Sequence, residues 1–316
     1  MKDKRTLTYT IENSTAPTLG EWLDIHQFPR KTMKELFGAN SVRLEGQLCT
    51  AKSGLSEGMV LEMIPLKERI DHDPIEMSLV IAYEDEDILI VDKPSGITMN
   101  SKGQVSLANG VAHYFKIHKI YGKVRFLNRL DRDTSGLVVV AKHGLAQHFY
   151  QLQMDDNRLE KWYRATVQGR LAQAHEVLEL PIRKSADGIH QEVHPEGVMT
   201  KTEYEVLSYD ASQDTTEVRI RLWTGKTHQI RVTMAHIGHP LVHDPLYADA
   251  QAVEYKHGTL GMDTTQVHTS VQKDSENTAK EPIQVLAEVP EKTFALRAYR
   301  LVCYHMRTGR QIVIEV

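Results

Sequence analysis

The stretch LNRLDRDTSGLVVVAK, from Leu127 to Lys142, places Arg129, Asp131, Arg132 and Asp133 directly ahead of an apolar run. Charges beside a buried strand are costly unless they are paired, hydrogen-bonded or put to use. A carboxylate held beside a guanidinium stays ionised at neutral pH. In that form it can attack an electron-poor carbon or take a proton. A plainer reading stands next to this one, with Arg129 and Asp131 as a surface pair and Asp133 as a turn cap. Ion-pair networks do occupy turns that have no chemistry. Thr134, Ser135 and Gly136 supply a turn whose hydroxyls can bond backbone and whose glycine permits a tight bend into LVVVA.

Three other patterns invite chemistry and fail on geometry. Gly54-Leu55-Ser56-Glu57-Gly58 fits G-x-S-x-G, but a nucleophile elbow needs a strand before it and a helix after it. Here a strand follows, within a small module, so the segment reads as a turn. His236, His239 and His243 lie close together among 16 histidines, yet Gly238 and Pro240 prevent a helix from holding them in register. A zinc site needs its ligands on one face, so these read as loop or packing histidines and no metal is expected. Asp133-Thr134-Ser135-Gly136 is similar to an aspartic-protease loop, but such enzymes need two facing loops, and Ser135 is an extra residue.

The chain of 316 residues is long enough for a large core and a small module, with 41% hydrophobic and 25% charged residues. No apolar run approaches the roughly 18–20 residues of a membrane span, and the first residues are polar rather than of signal-peptide type. Cys49 and Cys303 lie far apart, which fits a reducing cytoplasm and argues against a disulfide scaffold. The net charge of −4 argues against nucleic-acid binding only weakly. A cleft can be basic on an acidic protein, and residues 71–90, without Lys or Arg, carry much of the negative charge.

Helical spacing at Leu19, Trp22 and Leu23, a break at Pro29-Arg30, and a second short helix with Met33, Leu36 and Phe37 open the chain. Thr32 is the expected cap of that second helix. Alternating SVRLEGQLC, with a Glu45-Gly46 turn, and then GMVLEMIPL add strands. These define a module over 1–70, with 71–78 as an acidic linker and 79–316 as a second domain. In the second domain the pattern predicts strands in LVIAYEDEDILIVDK, helices near 104–120 and 144–158, and a strand at 161–171 with Tyr163, Ala165 and Val167 on one face. A polar insertion at 250–284 and two closing strands meeting at Thr308-Gly309 complete it. Without regular βαβ alternation the fold class is α+β, a largely antiparallel mixed sheet with a small N-terminal α/β module.

NRLDRDTSGLVVVAK resembles the central motif, H-R-L-D-x-x-T-S-G, of the RluA-type pseudouridine synthases. Three further blocks occur in that family's order. YEDEDILIVDKPSGI is similar to its first motif, with Lys-Pro-x-Gly. KWYRATVQG is similar to K-x-Y-x-A-x-V-x-G, and TGKTHQIRVTMAHIGHPLVHDPLY resembles the G-R-T-H-Q-I-R-V-H block. The resemblance covers roughly 79–316. The first module resembles, more weakly, an S-four-like RNA-binding domain.

The resemblance implies an isomerase that converts uridine in RNA to pseudouridine with no cofactor or metal. The base is cut from ribose at nitrogen 1, turned, and rejoined through carbon 5. It implies Asp131 as the catalytic aspartate, acting as nucleophile or as a base on the sugar. It implies Tyr163 as the tyrosine that packs on the target base and assists at carbon 5, Arg231 as the arginine that pairs with the aspartate, and Arg129 as a support for base extrusion. Arg132 and Lys226 are further candidate RNA contacts, as are Arg30, Lys31 and Lys34 on the module's second helix; a solvated helix face is the alternative for the last three. Asn128, Asn100, Lys226 and Arg297 stand where His, His, Arg and His are usual, which leaves the chemistry intact and bears on target choice. The expected partner is RNA, large ribosomal RNA ahead of transfer RNA, acted on by a cytoplasmic monomer. A non-catalytic RNA-binding or assembly protein on the same fold is the second class, and the retained Asp131, Tyr163 and Arg231 argue against it.

Overall fold

The computed structural model describes residues 5–12, 14–101, 103–248 and 295–316; the expected insertion at 250–284 lies outside them. The first module is a four-stranded antiparallel sheet in the order β1-β4-β2-β3, built from β1 (Leu7–Thr10), β2 (Val42–Leu44), β3 (Gln47–Leu48) and β4 (Val60–Met63). Between β1 and β2 come α1 (Leu19–Ile25) and α2 (Arg30–Gly38). Thr18 caps α1 by accepting from the Glu21 amide. The second helix departs from expectation. It starts at Arg30 with Pro29 at its cap position, and Thr32 lies inside its first turn. Proline's fixed φ suits a helix start, where its missing N–H has no bond to lose.

The large sheet has eleven strands and runs β11-β10-β12-β13-β9-β14-β8-β6-β5, with β15 beside β14 and β7 beside β8. Its elements, in chain order, are β5 (Val80–Glu84), β6 (Ile88–Lys93), α3 (Leu107–Ile117), β7 (Arg125–Phe126), β8 (Ser135–Ala141), α4 (Gly144–Asp155) and β9 (Glu160–Gln168). They continue with β10 (His175–Lys184), β11 (Gln191–Val193), β12 (Val198–Asp210), β13 (Thr215–Leu222), α5 (Gln229–His236), β14 (Leu296–Tyr304) and β15 (Gln311–Glu315). Among the described residues the β14–β8 pair alone is parallel, through Arg297 opposite Ser135 and Ala298 opposite Gly136. The period-two face of β9 holds as expected, with Lys161, Tyr163, Ala165 and Val167 buried.

The continuous apolar run in β8 follows from what covers it. Leu137 and Val139 share a core with Ile88, Ile90, α4 and the first module, while Val138 and Val140 share a second core with α3 and β9. A strand buried on both faces cannot alternate with polar residues. Segment 71–78, read from sequence as a linker, lies strapped along α3. Asn109 Nδ2 donates to the Asp73 carbonyl at 2.9 Å, and the Ile75 amide donates to the Asn109 carbonyl at 3.2 Å. Gly110 lets Met77 lie against the helix, since a Cβ there would meet its sulfur at 2.8 Å.

A buried ionic clasp ties chain segments that are distant in sequence. Asp87 accepts from His143 Nε2 at 2.9 Å and from Arg307 Nε and Nη2 at 2.7 and 2.8 Å. Arg307 also donates to the carbonyls of Thr6 and Arg5 at the start of β1. Burial pushes the Asp87 carboxyl up, but its His143 and Arg307 partners outweigh this and bring it to about 2.

Candidate active site

The residues between β7 and β8 form the floor of a cleft lined by Arg129, Asp131, Thr134, Tyr163, Lys226 and Arg231, together with His228. Three devices hold that loop. Asn128, buried, donates through Nδ2 to the Leu137 carbonyl at 3.0 Å and accepts from the Val139 amide at 2.8 Å. Its carboxamide thus behaves as an extra peptide group paired with β8, which accounts for an amide at a position where the family usually has His. Lys93 is fully buried, and its Nζ donates to the carbonyls of Pro94, Ile97 and Arg132, each at 2.9 Å. Burial pulls this ammonium down to about 8, against the opposing charges of Asp133 and Asp131. Ser95 Oγ donates to the Asp133 carbonyl at 2.8 Å, and the Gly96 amide to the Arg132 carbonyl at 2.9 Å. The Lys-Pro-Ser-Gly turn therefore grips the back of the loop that carries Asp131.

The bend into β8 depends on Gly136. Its φ is +114°, and a Cβ there would lie 2.1 Å from the Ala298 carbonyl oxygen across the parallel pair. Arg297 reinforces that short joint by donating to Asp92 Oδ2 at 2.7 Å and reaching Ser135 Oγ at 3.4 Å.

Tyr163 rises from β9 between β13 and β14 and is almost wholly buried. Burial, and then the negative charge of Asp131, push its phenol far above the ordinary range. It therefore offers a flat face and an O–H donor at neutral pH, and not a phenolate.

Arg231, on α5, makes its closest bonds away from the cleft floor. Nε and Nη2 grip Asp244 at 2.7 and 2.6 Å, whereas Nη1 stands 3.8 Å from Asp131 Oδ2. Asp244 is buried and also accepts from the amides of Leu246 and Tyr247. Burial pulls the guanidinium down, but the Asp244 bonds and charge, with that of Asp131, raise it overall. Arg231 thus spans two carboxylates, anchored by one and facing the other.

The remaining sequence candidates divide by position. Arg129 and Lys226 stand exposed on the cleft rim. Arg132 turns outward into a two-bond pair with Asp133. Arg30, on α2, pairs with Asp24 at 3.1–3.2 Å, and Lys31 and Lys34 are exposed on the same helix. A groove of about 760 Å³ runs beside them, between α1, α2 and the turn at Thr50–Lys52. Sequence reasoning did not single out Asp244, His228 or Tyr247. The available signal was electrostatic: an arginine among buried helix residues requires a carboxylate, and Asp244 follows in the same motif block.

Comparison with known proteins agrees with this architecture. The RNA pseudouridylate synthase family model matches residues 87–236. The chain is 34% identical over 219 residues to the RNA pseudouridine synthase YjbO of Bacillus subtilis, covering 67% of this chain and 76% of that one. It is 33% identical over 260 residues to the ribosomal large subunit pseudouridine synthase D of Escherichia coli K12, covering 78% of each. The structure of human RNA pseudouridylate synthase domain containing 1 superposes with a TM-score of 0.53 at 20% identity, over 76% of this chain and 83% of that one, a likeness of fold. Family, relatives and fold agree with the motif order: the chain belongs to the RluA-type RNA pseudouridine synthases and is an isomerase of uridine in RNA.

Proposed function

We propose that this enzyme isomerises specific uridines of large-subunit ribosomal RNA, with Asp131 as the reacting carboxylate. The observation that carries the reading is convergence. Asp131, Tyr163 and Arg231 come from a loop, a central strand and a helix, and they meet in one cleft with the cations Arg129 and Lys226 at its rim. The ribosomal target is supported by the relatives named for the large subunit.

In this reading the target nucleotide leaves its stack, and Tyr163 supplies the face on which the uracil lies. Asp131 acts at the ribose, the N1–C1′ bond breaks, and the base turns. A C5–C1′ bond then forms, the C5 proton is lost, and N1 gains a proton. Arg231 faces Asp131 with Nη1 3.8 Å from Oδ2. Buried, with its phenol pushed up by burial and by Asp131, Tyr163 serves as platform and O–H donor. Arg129 and Lys226 hold backbone phosphates, and the exposed Arg30, Lys31 and Lys34 present a second basic surface to the RNA.

The test is a pseudouridine map of cellular RNA with and without the protein, with Asp131→Asn as the rescue control. Loss at one or a few large-subunit positions, restored by wild type alone, is the expected result. Loss at transfer-RNA positions would reassign the substrate, and rescue by Asp131→Asn would remove Asp131 from the chemistry.

A further inference from the structure

The cleft lining contains a second group close to Asp131. His228 Nε2 lies 3.9 Å from Asp131 Oδ2, the same oxygen that Arg231 Nη1 approaches at 3.8 Å. Both distances exceed a charge-assisted hydrogen bond by about 1 Å, a gap that a small closure on substrate would remove.

The backbone places His228 there at some cost. Its φ of 55° and ψ of 16° are left-handed at a non-glycine residue, and its side chain makes no capping bond to α5. Gln229 takes over the stapling, with Oε1 accepting from the Lys226 amide and Thr224 Oγ1, each at 3.0 Å. Its Nε2 donates to Thr202 Oγ1 at 3.0 Å. With the loop secured in this way, the imidazole is free to turn into the cleft.

The hydrogen bonds around the ring also bear on which nitrogen carries the proton. The Gln191 amide can only donate, and it donates to Tyr247 Oη at 2.8 Å. Tyr247 Oη lies 3.0 Å from His228 Nδ1, which among the described residues is the acceptor bonded to that phenol. With the phenol O–H directed at Nδ1, the imidazole N–H falls on Nε2, the nitrogen that faces Asp131. Burial pushes Tyr247 up to about 12, so it remains a donor. The groups facing His228 are Asp131, Arg231, Asp244 and His190; burial lowers the imidazole against the pull of Asp131, so it is neutral at neutral pH.

We propose that His228 is a positioning residue for Asp131, a neutral imidazole locked as its Nε2–H tautomer by Tyr247. With Arg231 it fixes Oδ2 and leaves Oδ1 to face the uridine. This rests on Asp131 being the reacting carboxylate.

The test combines kinetics with a direct view of the ring. Nitrogen NMR of ¹⁵N-histidine-labelled wild type is expected to show His228 as the Nε2–H tautomer; an Nδ1–H ring would overturn the proposal. His228→Phe is expected to lower kcat roughly 10- to 100-fold, the size of one lost hydrogen bond to a charged group, with KM for RNA and melting temperature held. His228→Gln, whose Nε2 reaches the same place, is expected to recover most of that loss. Tyr247→Phe should cost a similar factor and add nothing in the His228→Phe background. Wild-type kcat in His228→Phe beside an inactive Asp131→Asn would sink the role of His228 alone. An active Asp131→Asn would instead sink the reading beneath it.

Discussion

The buried ammonium of Lys93 gives a test in which stability and activity move in opposite directions. Its pKa falls from the ordinary 10.5 to about 8 in the folded protein. Below pH 8 both the folded and unfolded chains carry the proton, and burial of the charge opposes folding in full. Between pH 8 and 10.5 the unfolded chain holds more protons at this site, so its contribution to stability rises with pH, by about 3 kcal/mol in all. Activity should do the reverse. An ammonium has three donors for the carbonyls of Pro94, Ile97 and Arg132, and the neutral amine has two. Losing one loosens the loop that carries Asp131. The comparison is wild type against Lys93→Met, by denaturant unfolding and single-turnover kinetics from pH 6.5 to 10.5. The stability difference should shift toward wild type by about 3 kcal/mol across that range. Wild-type turnover should fall with an apparent pKa near 8, and the variant should lack that step. A stability difference flat with pH would refute the argument.

Three further outcomes follow from the same geometry. Asp244→Asn leaves the Arg231 guanidinium facing an amide. It should cost about 3–5 kcal/mol, lowering the melting temperature by on the order of 10 °C, and reduce kcat as Arg231 loses its anchor. Gly136→Ala forces a Cβ to 2.1 Å from the Ala298 carbonyl at φ +114°, so it should part β8 from β14 and abolish soluble, active protein, as expression and activity assays would show. Lys226→Gln should weaken RNA binding equally for target and non-target sequences and reduce the slope of log K against log salt by about 1, measured by titration at several salt concentrations.

Much of this molecule is legible in its sequence where pattern and local chemistry agree. The period-two face of β9, the hydrophobic run of β8 and the Glu45-Gly46 turn are local consequences of side-chain type. Asp131, Tyr163 and Arg231 were marked by the resemblance of their motif blocks to the family's, and the fold brings the three into one cleft from a loop, a strand and a helix. Partnership across space was not. Arg231 bonds Asp244 around a turn that no periodicity describes, and Lys93 reads as part of a turn while its donors serve carbonyls, which a sequence does not display. The strap at 71–78 was hidden for the same reason, since its apolar residues are few and its bonds to α3 run through backbone groups.

The shared core between the first module and β8 makes the two halves one cooperative unit. Ile88, Ile90, Leu137 and Val139 pack in the same cluster as Leu19, Trp22, Leu36 and Met63, and the Asp87 clasp holds β1 from the other end of the chain. Cutting the chain after residue 66 would bare an apolar sheet face, so the catalytic half is not expected to survive as a separate fragment. Conversely, whatever binds the module in its folded form stabilises the strand behind Asp131 as well. An RNA segment at a hundred times its Kd would contribute about 2.7 kcal/mol to both. Grip at one end of the molecule thereby becomes rigidity at the other, without any change of shape.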